Sequence, residues 1–86
     1  MIAQRKDANQ DEVIDAFEAL GYAVKVMDLT AGFDLLAIKG NHVRIIEVKN
    51  PKRKWYLTAA EVKMKAFVEN AGAKYEIIQH PAEVAL

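Results

Sequence analysis

Two acidic residues and one lysine near the middle of the chain are of the types that hydrolysis of a phosphodiester uses. Asp34 and Glu47 are separated by twelve residues, and Lys49 follows in the segment Glu47-Val48-Lys49. Mg²⁺ in proteins is typically held by one or two carboxylates together with water and substrate phosphate. A neighbouring ammonium group can stabilise charge on the nucleophile and on phosphoryl oxygens. The three residues are therefore candidate catalytic residues if the fold brings them together.

A predicted β-hairpin does bring the two acids together. Residues 34–38 and 43–49 are rich in β-branched and apolar side chains, and the intervening Gly40-Asn41 pair suits a two-residue hairpin turn. Counted outward from this turn, Asp34 lies opposite Glu47. Two like charges opposed on a largely apolar sheet face are unfavourable. A divalent cation, Mg²⁺ or Mn²⁺, that bridges the carboxylates is the simplest way to stabilise the pair.

Further elements are predicted on both sides of the hairpin. Asp7 caps a first helix that Gly21 ends, and a strand follows over residues 22–27. Thr58 and Glu61 form a capping box for a second helix. The apolar side of that helix is expected to comprise Val62, Ala66, Phe67 and Val68.

The chain ends in a short predicted strand over residues 75–78 and in residues 81–86, which suit either a helical turn or a frayed tail. The order α-β-β-β-α-β predicts an α/β fold with a mixed sheet flanked by helices. At 86 residues the chain is expected to form a single domain, over residues 1–86.

Composition narrows the class of protein. Hydrophobic residues make up 52% and charged residues 28%, which is typical of a folded globular protein and not of a disordered one. No apolar stretch approaches the ~20 residues of a membrane span, and residues 1–9 contain no signal-peptide core. A cytoplasmic location with no membrane partner is expected. Because there is no cysteine, only oxygen and imidazole ligands are available to a metal, and a bound metal should be a hard cation.

A cationic and aromatic segment is the candidate nucleic-acid contact. The formal net charge is zero, so the overall charge does not indicate a nucleic-acid partner. The candidate contact residues are Lys52, Arg53, Lys54, Trp55 and Tyr56. An ordinary solvated loop is the alternative interpretation, and Trp55 is equally suited to stacking on a base and to packing the loop against the second helix.

Two further residues have competing interpretations. Glu12, on the first helix, could add a carboxylate for a second metal ion, but it also suits a solvated first-turn acid favoured by the helix dipole. Lys49 could instead neutralise one acid in a partly buried ion pair of purely structural importance.

The residues quoted above resemble a known family. Gly32-Phe33-Asp34 and Ile46-Glu47-Val48-Lys49 resemble the PD-(D/E)XK nuclease motif. Residues 8–12 look like the opening helix of VRR-NUC and of phage or archaeal-type Holliday junction resolvase-like members, and Leu57-Thr58 is similar as well. The resemblance covers about residues 5–80.

The resemblance implies a restriction-endonuclease-like fold and Mg²⁺- or Mn²⁺-dependent endonuclease activity on DNA. By this resemblance Asp34, Glu47 and the Val48 carbonyl bind the metal, Lys49 assists the nucleophile, and Glu12 occupies the position of the helix-1 acid. Phe33 stands where the motif name has proline, which does not affect the chemistry. Glu61 stands where glutamine is expected, which puts a contact from the second helix in doubt.

A nuclease of this kind is expected to act on branched DNA such as a Holliday junction, and to do so as a homodimer. A lone domain of 86 residues has little surface for a duplex, whereas a two-fold pair presents two sites to two strands. The rivals are a non-catalytic nucleic-acid-binding module on the same fold and a plain interaction domain whose acids are incidental.

Overall fold

The structure is a computed structural model that describes residues 9–85. Its elements follow the predicted α-β-β-β-α-β order, and a single 3₁₀ turn forms near the end of the chain. The elements are α1 (Gln10–Ala19), β1 (Ala23–Val26), β2 (Leu35–Lys39), β3 (His42–Val48), α2 (Ala59–Asn70), β4 (Tyr75–Ile78) and the 3₁₀ turn Pro81–Ala85. No helix in the described part of the chain is long and apolar enough to cross a membrane.

The four strands form one mixed sheet in the order β1-β2-β3-β4. The β1–β2 and β2–β3 pairs are antiparallel, and the β3–β4 pair is parallel. The predicted hairpin register is confirmed, because Lys39 pairs with His42 and Leu35 with Ile46. Parallel pairing needs a crossover connection, which α2 supplies between β3 and β4. The protein is thus a small α/β domain.

The larger core lies between the sheet and α1. Because successive side chains of a strand point to opposite faces, alternate residues of β2 and β3 enter this core and the residues between them face α2. The core residues are all buried, and they are Val13, Phe17, Leu35, Ala37, Ile46, Val48, Ile78 and Val84.

The start of α1 differs from its prediction. Asp7, the predicted cap, lies outside the described residues. In the structure Asn9 is the N-cap, and its side chain makes no capping hydrogen bond. Gln10 is almost fully buried, at 1% exposure. The side chain of Asn9 instead bonds to the residues that follow β3 and β4, as described below.

The predicted apolar side of α2 is wrong. Val62 is 53% and Phe67 is 68% exposed, and of the four predicted residues only Val68 is buried. The less exposed positions of the helix are 61, 64, 65 and 68, of which only Val68 is buried. The helix takes this rotation because Glu61 reaches an ion pair with Lys49 and because the loop before β2 lies against Met64. A smaller core of Phe33, Val68 and Tyr75 fills the space below it.

Gly32 allows this loop to approach α2 closely. A Cβ atom added at Gly32 would lie 2.8 Å from both the Ala60 carbonyl oxygen and the Met64 Cβ. The residue also has a φ of +81°, which disfavours any side chain. The Gly32 carbonyl accepts a hydrogen bond of 2.8 Å from the Tyr75 hydroxyl. Glycine at this position therefore fixes the distance between α2 and the sheet.

Gly32→Ala is expected to destabilise the protein more than Gly72→Ala does. The two glycines have similar φ values, +81° and +86°, but a Cβ at Gly72 meets nothing within 4 Å. Backbone strain is therefore similar in the two variants. The difference in their unfolding free energies reports the clash with α2, which should cost about 1–3 kcal/mol. Urea unfolding of both variants measures this difference. Equal losses of unfolding free energy would mean that α2 moves aside freely.

Candidate active site

Glu47 is the buried centre of the site. Its neighbours Ile46 and Val48 point into the α1 core, so Glu47 has to project from the opposite face of β3 toward α2. The residue is only 2% exposed. A carboxylate is rarely buried to this extent unless an ion or hydrogen-bond donors compensate for the loss of water.

Asp34 lies beside Glu47, as the hairpin register predicts. Its backbone N–H donates to the Ile46 carbonyl at 2.9 Å, and its Oδ2 accepts from the Val48 N–H at 2.8 Å. Asp34 is therefore bonded to the residues on both sides of Glu47. The regular strand pairing of β2 begins at Leu35, so Asp34 directly precedes β2 and is not part of it.

Lys49 lies between two carboxylates. Its Nζ is 3.0 Å from Glu47 Oε2 and 3.0 Å from Glu61 Oε1, and its side chain is 12% exposed. The partly buried ion pair that the structural interpretation of Lys49 predicts is thus present. A single ammonium group serves two acids, with Asp34 close enough to affect the charge of Glu47.

Glu61 is brought into the site by the capping box of α2. The Thr58 Oγ1 accepts from the Glu61 N–H at 3.2 Å, and the Thr58 N–H donates to Glu61 Oε1 at 3.0 Å. The same Oε1 atom accepts from Lys49. The predicted capping box is confirmed. Its acidic member also positions the lysine, a role that the sequence pattern alone does not reveal.

The electrostatics of the cluster centre on Glu47. Burial, followed by the negative charge of Asp34, raises the pKa of Glu47 to about 9 in spite of the hydrogen bond from Lys49. Burial acts to lower the pKa of Lys49, but its hydrogen bonds with Glu61 and Glu47 outweigh burial and raise that pKa. The cluster therefore keeps Lys49 charged and disfavours the ionised form of Glu47.

Glu61 and Tyr75 respond to the same surroundings. Burial acts to raise the pKa of Glu61, yet hydrogen bonds from the Thr58 N–H and from Lys49 lower it overall. Burial raises the pKa of the Tyr75 hydroxyl, and the negative charges of Glu47, Glu61 and Asp34 raise it further. Tyr75 therefore stays neutral beside these acids, and its hydroxyl donates a hydrogen bond to the Gly32 carbonyl.

One oxygen of Glu47 has no hydrogen-bond partner. Within the described residues, Oε1 is buried and accepts from nothing, whereas Oε2 is bound by Lys49. Asn9 Oδ1 and the side-chain amide of Gln10 are buried in the same way. Glu61 and Tyr75 lie close enough to interact with the Glu47 carboxyl, so Oε1 lies inside the carboxylate cluster.

The residues present fit a cation that needs few protein ligands. Across residues 9–85 no group of three or more histidine, cysteine, aspartate or glutamate side chains is arranged to hold a metal ion. Asp34 and Glu47 supply a pair of carboxylates. Mg²⁺ keeps several waters and binds through one or two carboxylates plus substrate oxygen. The donor set thus suits Mg²⁺ or Mn²⁺ and not a cation that requires a complete protein cage.

The other two residues assigned to the metal by resemblance lie differently. Val48 is in β3 between Glu47 and Lys49, with its side chain in the α1 core. Glu12 is exposed in the first turn of α1 and borders a surface pocket of about 290 Å³ that Asn50 and Lys52 also line. Glu12 does not complete a ligand group with Asp34 and Glu47.

Asn9 is a positioning residue that the sequence pattern does not reveal. Its Nδ2 donates to the Lys49 carbonyl at 3.2 Å and to the Gln79 carbonyl at 2.7 Å. These bonds tie the start of α1 to the residues that follow β3 and β4. Each joins positions forty or more residues apart in the chain, so no local motif identifies them.

The cationic and aromatic segment adjoins the site. All five of its residues, 52–56, are exposed. A pocket of about 230 Å³ is lined by Lys49 together with Arg53, Lys54, Trp55 and Tyr56 of this segment. Lys49 therefore belongs both to the carboxylate cluster and to the wall of a basic, aromatic pocket that opens to solvent.

Comparison with known proteins gave no match among family models, curated proteins or solved structures. The resemblance to the PD-(D/E)XK motif therefore rests on residue types and spacing in this chain.

Proposed function

We propose that this protein is a divalent-cation-dependent nuclease that hydrolyses phosphodiester bonds in DNA, with Asp34, Glu47 and Lys49 as its catalytic residues. The observation that carries the proposal is the convergence of Asp34, Glu47 and Lys49 at the end of β3. Glu47 and Glu61 contact the Lys49 ammonium group, and Asp34 is close enough to raise the pKa of Glu47. A purely structural ion pair of Lys49 needs only one of these acids.

Asp34, Glu47 and the Val48 carbonyl are the groups proposed to hold Mg²⁺ or Mn²⁺. When bound, such a cation lowers the pKa of a coordinated water and neutralises charge on the phosphoryl oxygens. The cation also compensates for the charge of the two acids, which burial and mutual repulsion otherwise disfavour. Glu12 remains a proposed additional acid by resemblance only.

Lys49 is proposed to stabilise the attacking oxygen and the charge on the scissile phosphate. Its second partner, Glu61, contacts the ammonium group at 3.0 Å independently of Glu47. Glu61 in turn is fixed by the N-terminus of α2 through Thr58. The fold therefore keeps a charged donor in place at a site where its side chain is only 12% exposed, and such preorganised donors are most effective away from water.

The PD-(D/E)XK superfamily, with its restriction-endonuclease-like fold, is the proposed family. The resemblance of the Asp34 and Glu47-Val48-Lys49 segments supports this, and so does a mixed sheet with helices on both faces. Glu61, where glutamine is expected, makes direct contact with the proposed catalytic lysine. This departure therefore lies inside the proposed site.

A cleavage assay tests the proposed function. Labelled four-way junction, flap, nicked duplex, continuous duplex and RNA are incubated with the purified protein in Mg²⁺, in Mn²⁺ and in EDTA. Cleavage of at least one DNA substrate is expected with either cation and not with EDTA, and branched DNA is the expected preference. Asp34→Asn protein prepared in parallel controls for contaminating nucleases. Equal cleavage by the variant would mean that a contaminating nuclease, and not this protein, cuts the DNA.

Replacing Lys52, Arg53 and Lys54 together by alanine should weaken DNA binding and flatten its salt dependence. Each lost phosphate contact should reduce the slope of log K against log salt concentration by about one. The matched control replaces Lys25, Lys63 and Lys74, three exposed lysines outside this segment, and thus removes the same charge. If both triple variants change the slope equally, DNA does not bind at residues 52–54.

Two copies of the chain are proposed to act as a pair in the cytoplasm. A two-fold dimer would present two sites to two strands of a junction. Sedimentation equilibrium across a range of concentrations is expected to find a dimer at the concentrations at which junctions are cut. Full cleavage activity under conditions where the protein is a monomer would contradict the pairing.

A non-catalytic nucleic-acid-binding module is the second candidate function. The contacts of Lys49 with Glu47 and Glu61 favour it, because they already neutralise part of the charge without a metal. This candidate predicts DNA binding that EDTA does not change, together with no cleavage. The assay above therefore separates the two candidates.

A further inference from the structure

The pocket beside Lys49 is built from both ends of one loop. At the start of the loop, Asn50 Oδ1 accepts from the Lys52 N–H at 2.9 Å, and the Asn50 carbonyl accepts from the Arg53 N–H at 3.3 Å. At its far end Thr58 is bonded to Glu61, which contacts Lys49. The two aromatic residues of the loop therefore lie between Asn50, which directly follows Lys49, and Thr58, which is bonded to Glu61.

These aromatic side chains are exposed instead of packed. Tyr56 is 77% and Trp55 is 38% exposed. In the described part of the chain the one pair of stacked or edge-on rings is Phe17 with Tyr22, so neither loop ring packs against another. Tyr56 is therefore the more accessible of the two rings for a planar ligand. Exposed aromatic rings among cations are the features by which proteins bind single-stranded nucleic acid.

The size and charge of the pocket define its occupant. Its volume of about 230 Å³ is below the ~300–1,000 Å³ range of pockets for drug-sized ligands. Such a space suits one base and not a base pair. Arg53 and Lys54 in the wall complement the phosphates on either side of that base. Because Lys49 also lines the pocket, phosphates bound there would lie next to the carboxylate cluster.

A base within a continuous duplex cannot use this pocket without leaving its stack. Its two faces are covered by neighbouring bases, and moving it out costs unpairing and unstacking free energy. A nucleotide that is already unpaired does not incur that cost. Stacking on Tyr56 therefore discriminates between DNA with an unpaired nucleotide at the cut and fully paired DNA.

We propose that the pocket formed by Lys49, Arg53, Lys54, Trp55 and Tyr56 binds one unpaired base of a DNA strand next to the phosphate that is cut. The preferred substrate is then DNA with a single-stranded nucleotide at the scissile position, such as a flap or fork, in preference to a perfectly paired duplex. This inference rests on the proposed nuclease function. Binding of the base is measured separately from cleavage.

The test uses a DNA strand that carries one 2-aminopurine, a base whose fluorescence falls when it stacks. The strand, either alone or as a complete duplex, is titrated with the protein in EDTA, so that no cleavage occurs. The proteins are wild type, Tyr56→Ala, Tyr56→Phe and Phe67→Ala. Phe67 is a matched control because it is 68% exposed and is absent from the pocket wall.

Quenching and preferential binding of the single strand are expected for wild type. Tyr56→Ala should lose roughly tenfold in affinity for the single strand and little for the duplex. Tyr56→Phe, which keeps the ring, and Phe67→Ala should match wild type. Equal affinity for both DNAs, with no effect of Tyr56→Ala, would overturn the base pocket even if Mg²⁺-dependent cleavage occurs. Absence of cleavage would count against the nuclease alone, because the pocket is judged by quenching and affinity.

Discussion

Glu47→Gln is expected to abolish cation-dependent cleavage while leaving the metal-free protein at least as stable as wild type. The change removes a proposed metal ligand, so cleavage should fall by roughly 10²–10³-fold or more. The fold should tolerate it because the pKa of Glu47 is raised to about 9 by burial and by Asp34, which leaves this carboxyl protonated at neutral pH. Glutamine is similar in size and charge to that protonated acid. Lys49 retains its contact with Glu61.

Cleavage assays and urea unfolding in EDTA measure the two effects. If Glu47 serves only to neutralise Lys49, the opposite pattern is expected, with a clear loss of unfolding free energy. A variant that is both less stable and fully active would therefore remove Glu47 from catalysis. Glu76→Gln, which changes a carboxylate of β4 that pairs with Arg44, shows what loss of a structural ion pair looks like in the same sheet.

The same pKa predicts a pH dependence of stability. A carboxyl whose pKa is higher in the folded state favours folding below its ordinary pKa of 4.5, and this contribution is lost as pH rises toward about 9. The metal-free wild type should therefore lose stability relative to Glu47→Gln as pH rises from about 5 to 9. Urea unfolding in EDTA at several pH values checks the sign. Parallel curves for the two proteins would mean that Glu47 has no raised pKa.

Lys49→Ala is expected to reduce both activity and stability. Cleavage should fall roughly 10²-fold or more, as when one preorganised charge-stabilising donor is removed. Loss of the ammonium leaves the charged, partly buried Glu61 without its cation and Glu47 without its hydrogen-bond donor, and breaking a buried pair in this way costs about 3 kcal/mol. Mg²⁺ should recover part of this loss, because a cation bound at Glu47 replaces some of the missing charge.

Lys65→Ala is the matched control for this variant. Lys65 forms an ion pair with Glu69 on the same helix as Glu61, but the two side chains are 37% and 49% exposed. An exposed pair four residues apart in a helix contributes only about 0.3–0.5 kcal/mol. Cleavage at the wild-type rate by Lys49→Ala would remove Lys49 from the mechanism. A stability loss no larger than that of Lys65→Ala would mean that the pair is effectively solvated.

The hairpin and the pairing of the two acids were predictable because they depend on local features. The turn at Gly40-Asn41 sets the strand register, and that register places Asp34 beside Glu47. The capping box at Thr58 also acts over three residues. Where the determining contacts are this close in the sequence, residue types and spacing are sufficient.

The rotation of α2 and the role of Asn9 were not predictable because they depend on distant contacts. The outward-facing side of α2 carries Val62 and Phe67, so apolar periodicity points away from the true inward face. That face is determined by the bond of Glu61 to Lys49 and by the close approach of Gly32. The side chain of Asn9 bonds to carbonyls forty or more residues away in the chain.

Metal binding by the paired acids is the central claim, and thermal unfolding of wild type and Asp34→Asn in EDTA and in Mg²⁺ tests it most directly. A cation that binds only the native site stabilises by ~1.4 kcal/mol at ten times Kd, which for a domain of this size raises Tm by several degrees. Wild type should show this rise. Asp34→Asn should melt no lower than wild type in EDTA, because the negative charge of Asp34 disfavours ionisation of Glu47. The variant should not respond to Mg²⁺, because one of the two proposed carboxylate ligands is removed. A wild type that is indifferent to Mg²⁺, together with a variant that melts several degrees lower in EDTA, would contradict the metal site.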